Sequence, residues 1–299
     1  MGRFINPFTD VGFKRIFGQE IHKDLLIDFL NSLFAGEKHI EDITFLDKEM
    51  LGLTVEDRNS IYDIYCTGSD GEHFIVEMQN RGHDNFRSRA LFYLSQAIVR
   101  QGEKGADWKF ALDAVYGVFF MNFYESEMAA KLRTDVVLAD RDTHTLFMDK
   151  MRFVFLQLPC FDKSEEECES DFERWIYVLK NMDKLQRMPF KLRKAVFQRL
   201  EDIVDIASLS KADRIKYDES IKVYRDNLVT ESYAQRKGWE KGLVEGRAEG
   251  RAEGRAEGRA EGREIRNAEI VSAMKAKGLP LDLIAEVTGL SSEEINKIP

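Results

Sequence analysis

The stretch YDIYCTGSDGEHFIVEMQ runs from Tyr62 to Gln79 and sets two apolar, aromatic and β-branched runs on either side of Ser-Asp-Gly. That pattern predicts a hairpin with strands at residues 61–66 and 74–79. Alternate residues of a strand share a face, so Glu77 and Gln79 point together while Phe74, Val76 and Met78 point the other way. A connecting loop centred on Asp70 sets Asp63 directly across from Glu77. One residue of slip would turn Asp63 to the wrong face. The pattern therefore demands an odd number of loop residues, or a bulge that restores parity.

Two carboxylates facing each other inside a sheet repel and lose hydration, at a cost on the order of several kcal/mol unless positive charge lies between them. A hard divalent cation is the natural compensator. Magnesium takes oxygen ligands, keeps waters and commonly uses one or two carboxylates together with substrate phosphate. Asp63, Glu77, the backbone carbonyl of Met78 and waters would complete such a shell, able to acidify water and to stabilise charge on a scissile phosphate. Spacing alone leaves a second reading open, in which the two acids edge the sheet and face solvent.

Upstream, residues 9–34 read as two helices broken near Gly18, the second carrying Leu25, Leu26, Phe29, Leu30, Leu33 and Phe34 at helical spacing with Gly36 placed to end it. A strand follows at residues 43–46. Downstream, an amphipathic helix is expected at residues 85–100, then strands at 114–120 and 152–158, both apolar enough to lie inside a covered sheet. From Asp171 to about Tyr233 the pattern is again helical. Helix, hairpin, helix, strand, strand and helices make an α/β layered fold.

The composition then changes. Gly242 to Arg263 reads GLVEGRAEGRAEGRAEGRAEGR. Glycine at every fourth position costs about 1 kcal/mol relative to alanine. Glu and Arg sit two apart, so neighbours one turn apart carry like charge and lend no support. This predicts a marginal helix or a flexible spacer. The last segment recovers helical periodicity around Thr288-Gly289-Leu290, a helix-turn-helix outline in which Ser291 or Ser292 caps the final helix. Glu293 and Glu294 stand where a DNA reader would carry basic residues, which favours packing or self-association over base reading.

At 299 residues and 43% hydrophobic, the chain has material for a full core. VYGVFFMNF, from Val115, is about half the roughly 20 residues of a membrane helix, and the N-terminus lacks a signal peptide's apolar core. A cytoplasmic protein without a membrane partner is expected. Cys66, Cys160 and Cys168 are widely spaced and odd in number, which suggests neither a disulfide framework nor a zinc ribbon. The histidines form no HxxxH or HExxH pair, against a histidine-rich zinc site. A net charge of −9 argues against nonspecific coating of nucleic acid while leaving room for a basic cleft.

With Asp63 and the Glu-Met-Gln tripeptide placed, the chain resembles the Rpn family of recombination-promoting nucleases, the PD-(D/E)xK nuclease family transposases. The likeness runs through TDVGFKRIFG (Thr9 to Gly18), DLLIDFLNSLF (Asp24 to Phe34), DRNSIYDIYC (Asp57 to Cys66), IVEMQ (Ile75 to Gln79) and RALFYLSQ (Arg89 to Gln96). The charged glycine repeat and the helical tail resemble C-termini of the same family.

The resemblance implies a restriction-endonuclease-like core, a central mixed β-sheet flanked by helices, and magnesium-dependent DNA cleavage with manganese as a substitute. It implies residues 1–235 as the nuclease-like domain with a helical C-terminal part. Residues 236–263 are then a linker or marginal helix, and 264–299 a small helical tail through which the chain would form homo-oligomers. By position, Asp63 and Glu77 are the metal-binding acids, Glu49 an additional carboxylate, and Gln79 the catalytic position where the wider superfamily carries lysine. An amide orients by hydrogen bonds but supplies no charge. Arg89 is the first candidate for the missing cation. It sits one turn from Tyr93, with Gln96 further along, in a polar stripe read as lying opposite the helix's apolar face. Arg89 and Tyr93 are then the expected phosphate contacts, with Arg87 and Lys14 as outer DNA contacts. The alternative is a non-catalytic DNA-binding or assembly protein that keeps the nuclease fold.

Overall fold

The turn chemistry at Ser69, Asp70 and Gly71 forms the hairpin at the centre of the fold, Gly71 taking a positive φ of 87° that favours glycine. The computed structural model describes residues 2–47, 49–50, 60–82, 85–102, 109–190 and 194–299, the side chains of 49–50, 60–61 and 231 excepted. Helices α1 (Asp10–Phe17) and α2 (Lys23–Leu33) precede strands β1 (Ile43–Phe45), β2 (Glu49–Met50), β3 (Ser60–Ile61), β4 (Ile64–Gly68) and β5 (His73–Gln79). Helix α3 (Phe86–Val99) leads to β6 (Val115–Met121), β7 (Arg133–Ala139) and β8 (Leu146–Gln157). Helices α4 (Asp171–Asn181), α5 (Ala195–Val204), α6 (Lys211–Ala276), α7 (Leu281–Thr288) and α8 (Ser292–Lys297) complete the chain.

By internal packing the chain divides into two units, Met1–Asp226 and Asn227–Pro299. In the first, six strands form one mixed sheet in the order β1-β4-β5-β6-β8-β7. β5, β6 and β8 run parallel, and the remaining pairs are antiparallel. Side-chain alternation divides the core by face. Phe74, Val76, Val118, Phe120, Val154 and Leu156 pack with α1, α2, α4 and α5. Ile75, Val115, Phe119, Phe153 and Phe155 pack with Phe86, Ala90, Leu94 and Ala97 of α3. β6 is buried at every position, as a strand covered on both faces must be.

Two glycines fix close approaches. At Gly117 in β6, a methyl group would lie 2.6 Å from the Cδ1 of Leu94, so α3 rests directly on the strand's backbone. At Gly12 in α1, a methyl group would lie 2.1 Å from the backbone oxygen of Asn6. Thr9 caps this helix, its side chain accepting the Gly12 amide at 3.0 Å. Gly12→Ala is expected to destabilise the protein by roughly 2 kcal/mol or more, because its obstacle is backbone with no rotamer to move. A denaturant midpoint unchanged in the variant would contradict this close contact.

Two sequence expectations change. β7 was not anticipated, and β8 begins at Leu146 rather than near Arg152. Residues 133–139 lack the polar-apolar alternation of a half-buried strand, because here both faces are exposed. In the second unit, Val271, Ile284 and Ile295 form a small core joining α7 and α8 to the end of α6. Gly289, at φ 70°, ends α7, and Ser291 caps α8 in a reciprocal box with Glu294. The acid at 294 thus has a capping role. The glycine repeat is helical within α6, with its side chains exposed. Among the described residues no helix is long and apolar enough to cross a membrane.

Candidate active site

The hairpin pairs Ile64 with Val76, Tyr65 with Ile75, Cys66 with Phe74 and Thr67 with His73. Every pair is centred on Asp70, leaving the odd run Gly68 to Glu72 between the last partners. Continued by one step, this register sets Asp63 opposite Glu77. The regular ladder stops there, at a bend, and the carboxylates continue it. The Asp63 amide donates to Glu77 Oε1 at 3.0 Å, and the Met78 amide donates to Asp63 Oδ2 at 2.9 Å. Each acid is clasped by main chain from the opposite strand. Both lie at the C-terminal end of β5, the end of a parallel strand where ligands of open α/β sheets bind.

Glu77 is only 4% exposed. Burial, and secondarily the charge of Asp63, push its carboxyl up to about 8, against the opposing pull of the Asp63 amide, Arg89 and Gln79. Gln79 links the remaining partners. Its Nε2 donates to Glu77 Oε2 at 3.1 Å, and its Oε1 accepts a hydrogen bond from Arg89 Nη2. A guanidinium can only donate, so the amide oxygen must face Arg89 and the amide nitrogen must face Glu77. Gln79 thereby passes the arginine's polarisation to the buried acid.

Arg89 and Tyr93 do not form a stripe opposite the apolar face of α3. Both are half-buried at the margin of the face that packs on the sheet, and the outward side carries Arg87, Ser88, Leu91 and Phe92. Single-sequence periodicity missed this because a polar residue at the edge of a buried stripe looks like one facing solvent. Tyr93 packs edge-on against Tyr62 at 5.1 Å, and its backbone carbonyl accepts the Tyr62 hydroxyl at 3.0 Å. Burial, then the charge of Glu77, raise the Tyr93 hydroxyl above the ordinary phenol range. Arg87 instead pairs with Glu127. Glu49 belongs to β2, whose partner strand β3 precedes Asp63, and its side chain lies outside the described residues.

A cleft of about 90 Å³ opens beside this pair, lined by Phe8, Asp10, Phe13, Asp63, Met78 and Asn80. Asn80 donates to the Phe8 carbonyl at 2.6 Å, while its Oδ1 is buried without a hydrogen-bond partner. Asp10, in the first turn of α1, is paired with Lys14 at 2.5 Å. Sequence reasoning missed Asp10 and Asn80. Asp10 reads as an ordinary first-turn acid, and alternation puts Asn80 on the face away from Gln79. Among the described residues no three His, Cys, Asp or Glu side chains converge as a metal cluster. Asp63 and Glu77, the latter raised by burial first and by its neighbour's charge second, nonetheless form a pair of carboxylate oxygen donors. That pair fits a hard divalent cation completed by water.

No curated protein and no solved structure matches the chain. A family model described as PD-(D/E)XK nuclease family transposase matches residues 7–234, which takes in the sheet, its flanking helices and the acid pair. The mixed sheet flanked by helices is the restriction-endonuclease-like fold this family implies. The chain therefore belongs to the PD-(D/E)XK nuclease family transposases.

Proposed function

We propose that this protein is a magnesium-dependent DNA endonuclease that hydrolyses phosphodiester bonds, with manganese able to replace magnesium. The observation that carries the reading is Glu77, buried beside Asp63, its acidity suppressed first by burial and then by that neighbour's charge. A pair held at such cost is explained by a cation. Asp63 and Glu77 would hold it with the Met78 carbonyl, and Glu49 is the proposed additional carboxylate. Bound there, the metal supplies an acidified water and positive charge at the scissile phosphate.

The chain's own residues do the rest. Gln79 fixes the orientation of Glu77 and couples it to Arg89. A guanidinium has five donors, so Arg89 can hold Gln79 and a phosphate oxygen together. Tyr93, at the same helix margin, is placed to hydrogen-bond or stack beside that phosphate. Arg87 and Lys14 are outer backbone contacts whose surface ion pairs, of small net worth, can yield to phosphate.

Purified protein is expected to nick supercoiled plasmid with magnesium and to leave it intact in EDTA. Equal cutting by wild type and by the Asp63→Ala and Glu77→Ala variants would remove this assignment. The amide at Gln79 supports a second reading, a DNA-binding or assembly protein without cleavage. Gel-shift binding with no cutting across several divalent metals would favour it.

A further inference from the structure

We propose that the β7–β8 hairpin is a self-association arm, docking edge to edge with the same hairpin of a second copy of this chain. β7 is the outermost strand of the sheet. Along the hairpin, Val136, Val137, Leu138, Leu146, Phe147 and Met148 are between 41% and 75% exposed, on both faces. None of the six belongs to either apolar core of this unit. An apolar patch shared by two adjacent strands, with no layer over it among the described residues, marks a binding surface rather than scattered exposure.

The arm is ordered at both ends. At its base Asp135 accepts from Arg133 and Arg152, each at 2.7 Å, and Arg133 also donates to the Leu33 carbonyl at 2.7 Å. Glu37 completes this ion group by pairing with both arginines. At the tip Asp140 Oδ1 accepts the amides of Asp142 and Thr143 at 3.0 and 2.7 Å. Between these ends, β7 offers Val136, Val137, Leu138 and Ala139 with no proline or lysine to blunt the edge. The register shifts fall between Val137 and Ala139, where the extra residues belong to β8, so β7 keeps a continuous outer edge.

Self-complementarity selects the occupant. A two-fold antiparallel pairing of β7 centred on Leu138 sets Leu138 against its own copy and Val137 against Ala139 of the other chain. The exposed Arg141, in the turn just past β7, then comes level with Asp135 of the other chain, once on each side of the axis, and no two like charges oppose each other. An isologous strand pair of this kind satisfies the free edge of both sheets and buries both apolar patches together. This assignment does not depend on the nuclease reading.

Sedimentation of the full-length chain at micromolar concentration tests it. Wild type is expected to dimerise, and the Val137→Asp/Phe147→Asp variant to dissociate roughly tenfold or more readily, with unchanged circular dichroism. Leu138→Cys in a Cys160→Ser background, under mild oxidation, is expected to give a disulfide-linked dimer that Cys160→Ser alone does not form, since the partly exposed Cys160 is removed and Cys66 and Cys168 are buried. A monomeric wild type overturns the proposal. So does a dimer that survives the double substitution, as one held only by the helical tail would, or a Leu138→Cys protein that fails to cross-link.

Discussion

The Glu77→Gln protein is expected to gain stability relative to wild type as the pH of a metal-free buffer rises from about 5 to about 9, and to lose plasmid cutting. In the folded chain the Glu77 carboxyl titrates near 8, above the roughly 4.3 of an exposed glutamate. Between those values the folded state keeps a proton that the unfolded chain releases. Unfolding therefore releases protons, and stability falls as pH rises through that window. Below it both states are protonated and the penalty vanishes. The full shift corresponds to at most about 5 kcal/mol, and relaxation of a buried site reduces this to the order of 1–3 kcal/mol. A glutamine at 77 has nothing to titrate, so the difference between the two melting-temperature curves reports the titration of Glu77 together with its effect on Asp63. Magnesium should restore the wild type in proportion to its binding and leave the variant unmoved. Cutting should fall by about 10³-fold or more, the scale seen when a central charge-stabilising group is removed. Parallel curves for the two proteins would show that Glu77 ionises normally and would remove the argument for a cation between the acids.

Gln79→Lys is expected to lower cutting, although it restores the residue typical of the wider superfamily. The Arg89 guanidinium donates to the Gln79 oxygen. An ammonium at 79 would face it with like charge and no acceptor. Displacing Arg89 removes the proposed phosphate contact, and the substitution costs on the order of 10–100-fold in rate. Gln79→Lys/Arg89→Ala relieves that conflict and should cut better than Gln79→Lys alone. Arg89→Ala alone should lose about as much as the lysine variant, because Gln79 then holds Glu77 without a positive charge behind it. A double variant no better than the single lysine variant would show that the two positions act separately, contrary to the hydrogen-bonded chain Arg89-Gln79-Glu77.

The hairpin could be read from its residues because strand alternation and the Ser-Asp-Gly turn are local, and their parity alone sets Asp63 opposite Glu77. Helical and strand periodicity then placed the surrounding elements in an α/β order, and the family blocks implied the restriction-endonuclease-like class. What stayed hidden depends on parts distant in sequence. Asp10 and Asn80 reach one cleft only after α1 packs against the end of β5, and no periodicity encodes that meeting. β7 was missed for the opposite reason: Val136, Val137 and Leu138 are apolar without being core. The face of α3 that carries Arg89 was misplaced because Arg89 borders the buried stripe. The glycine repeat is helical despite the propensity cost, and nothing in the contacts around its glycines explains that preference.

Gly117 gives the apolar layer a say in the chemistry. It lets α3 rest directly on β6 through Leu94, and the same helix carries Arg89 to Gln79. A methyl group at 117 would meet the side-chain ends of Leu94 and Phe119, each at 2.6 Å, so the contact through which α3 sits on β6 would have to give, while the clasp between Asp63 and Glu77 is built within the hairpin. The seating of the helix that carries Arg89 is therefore set in part from a position that touches neither acid.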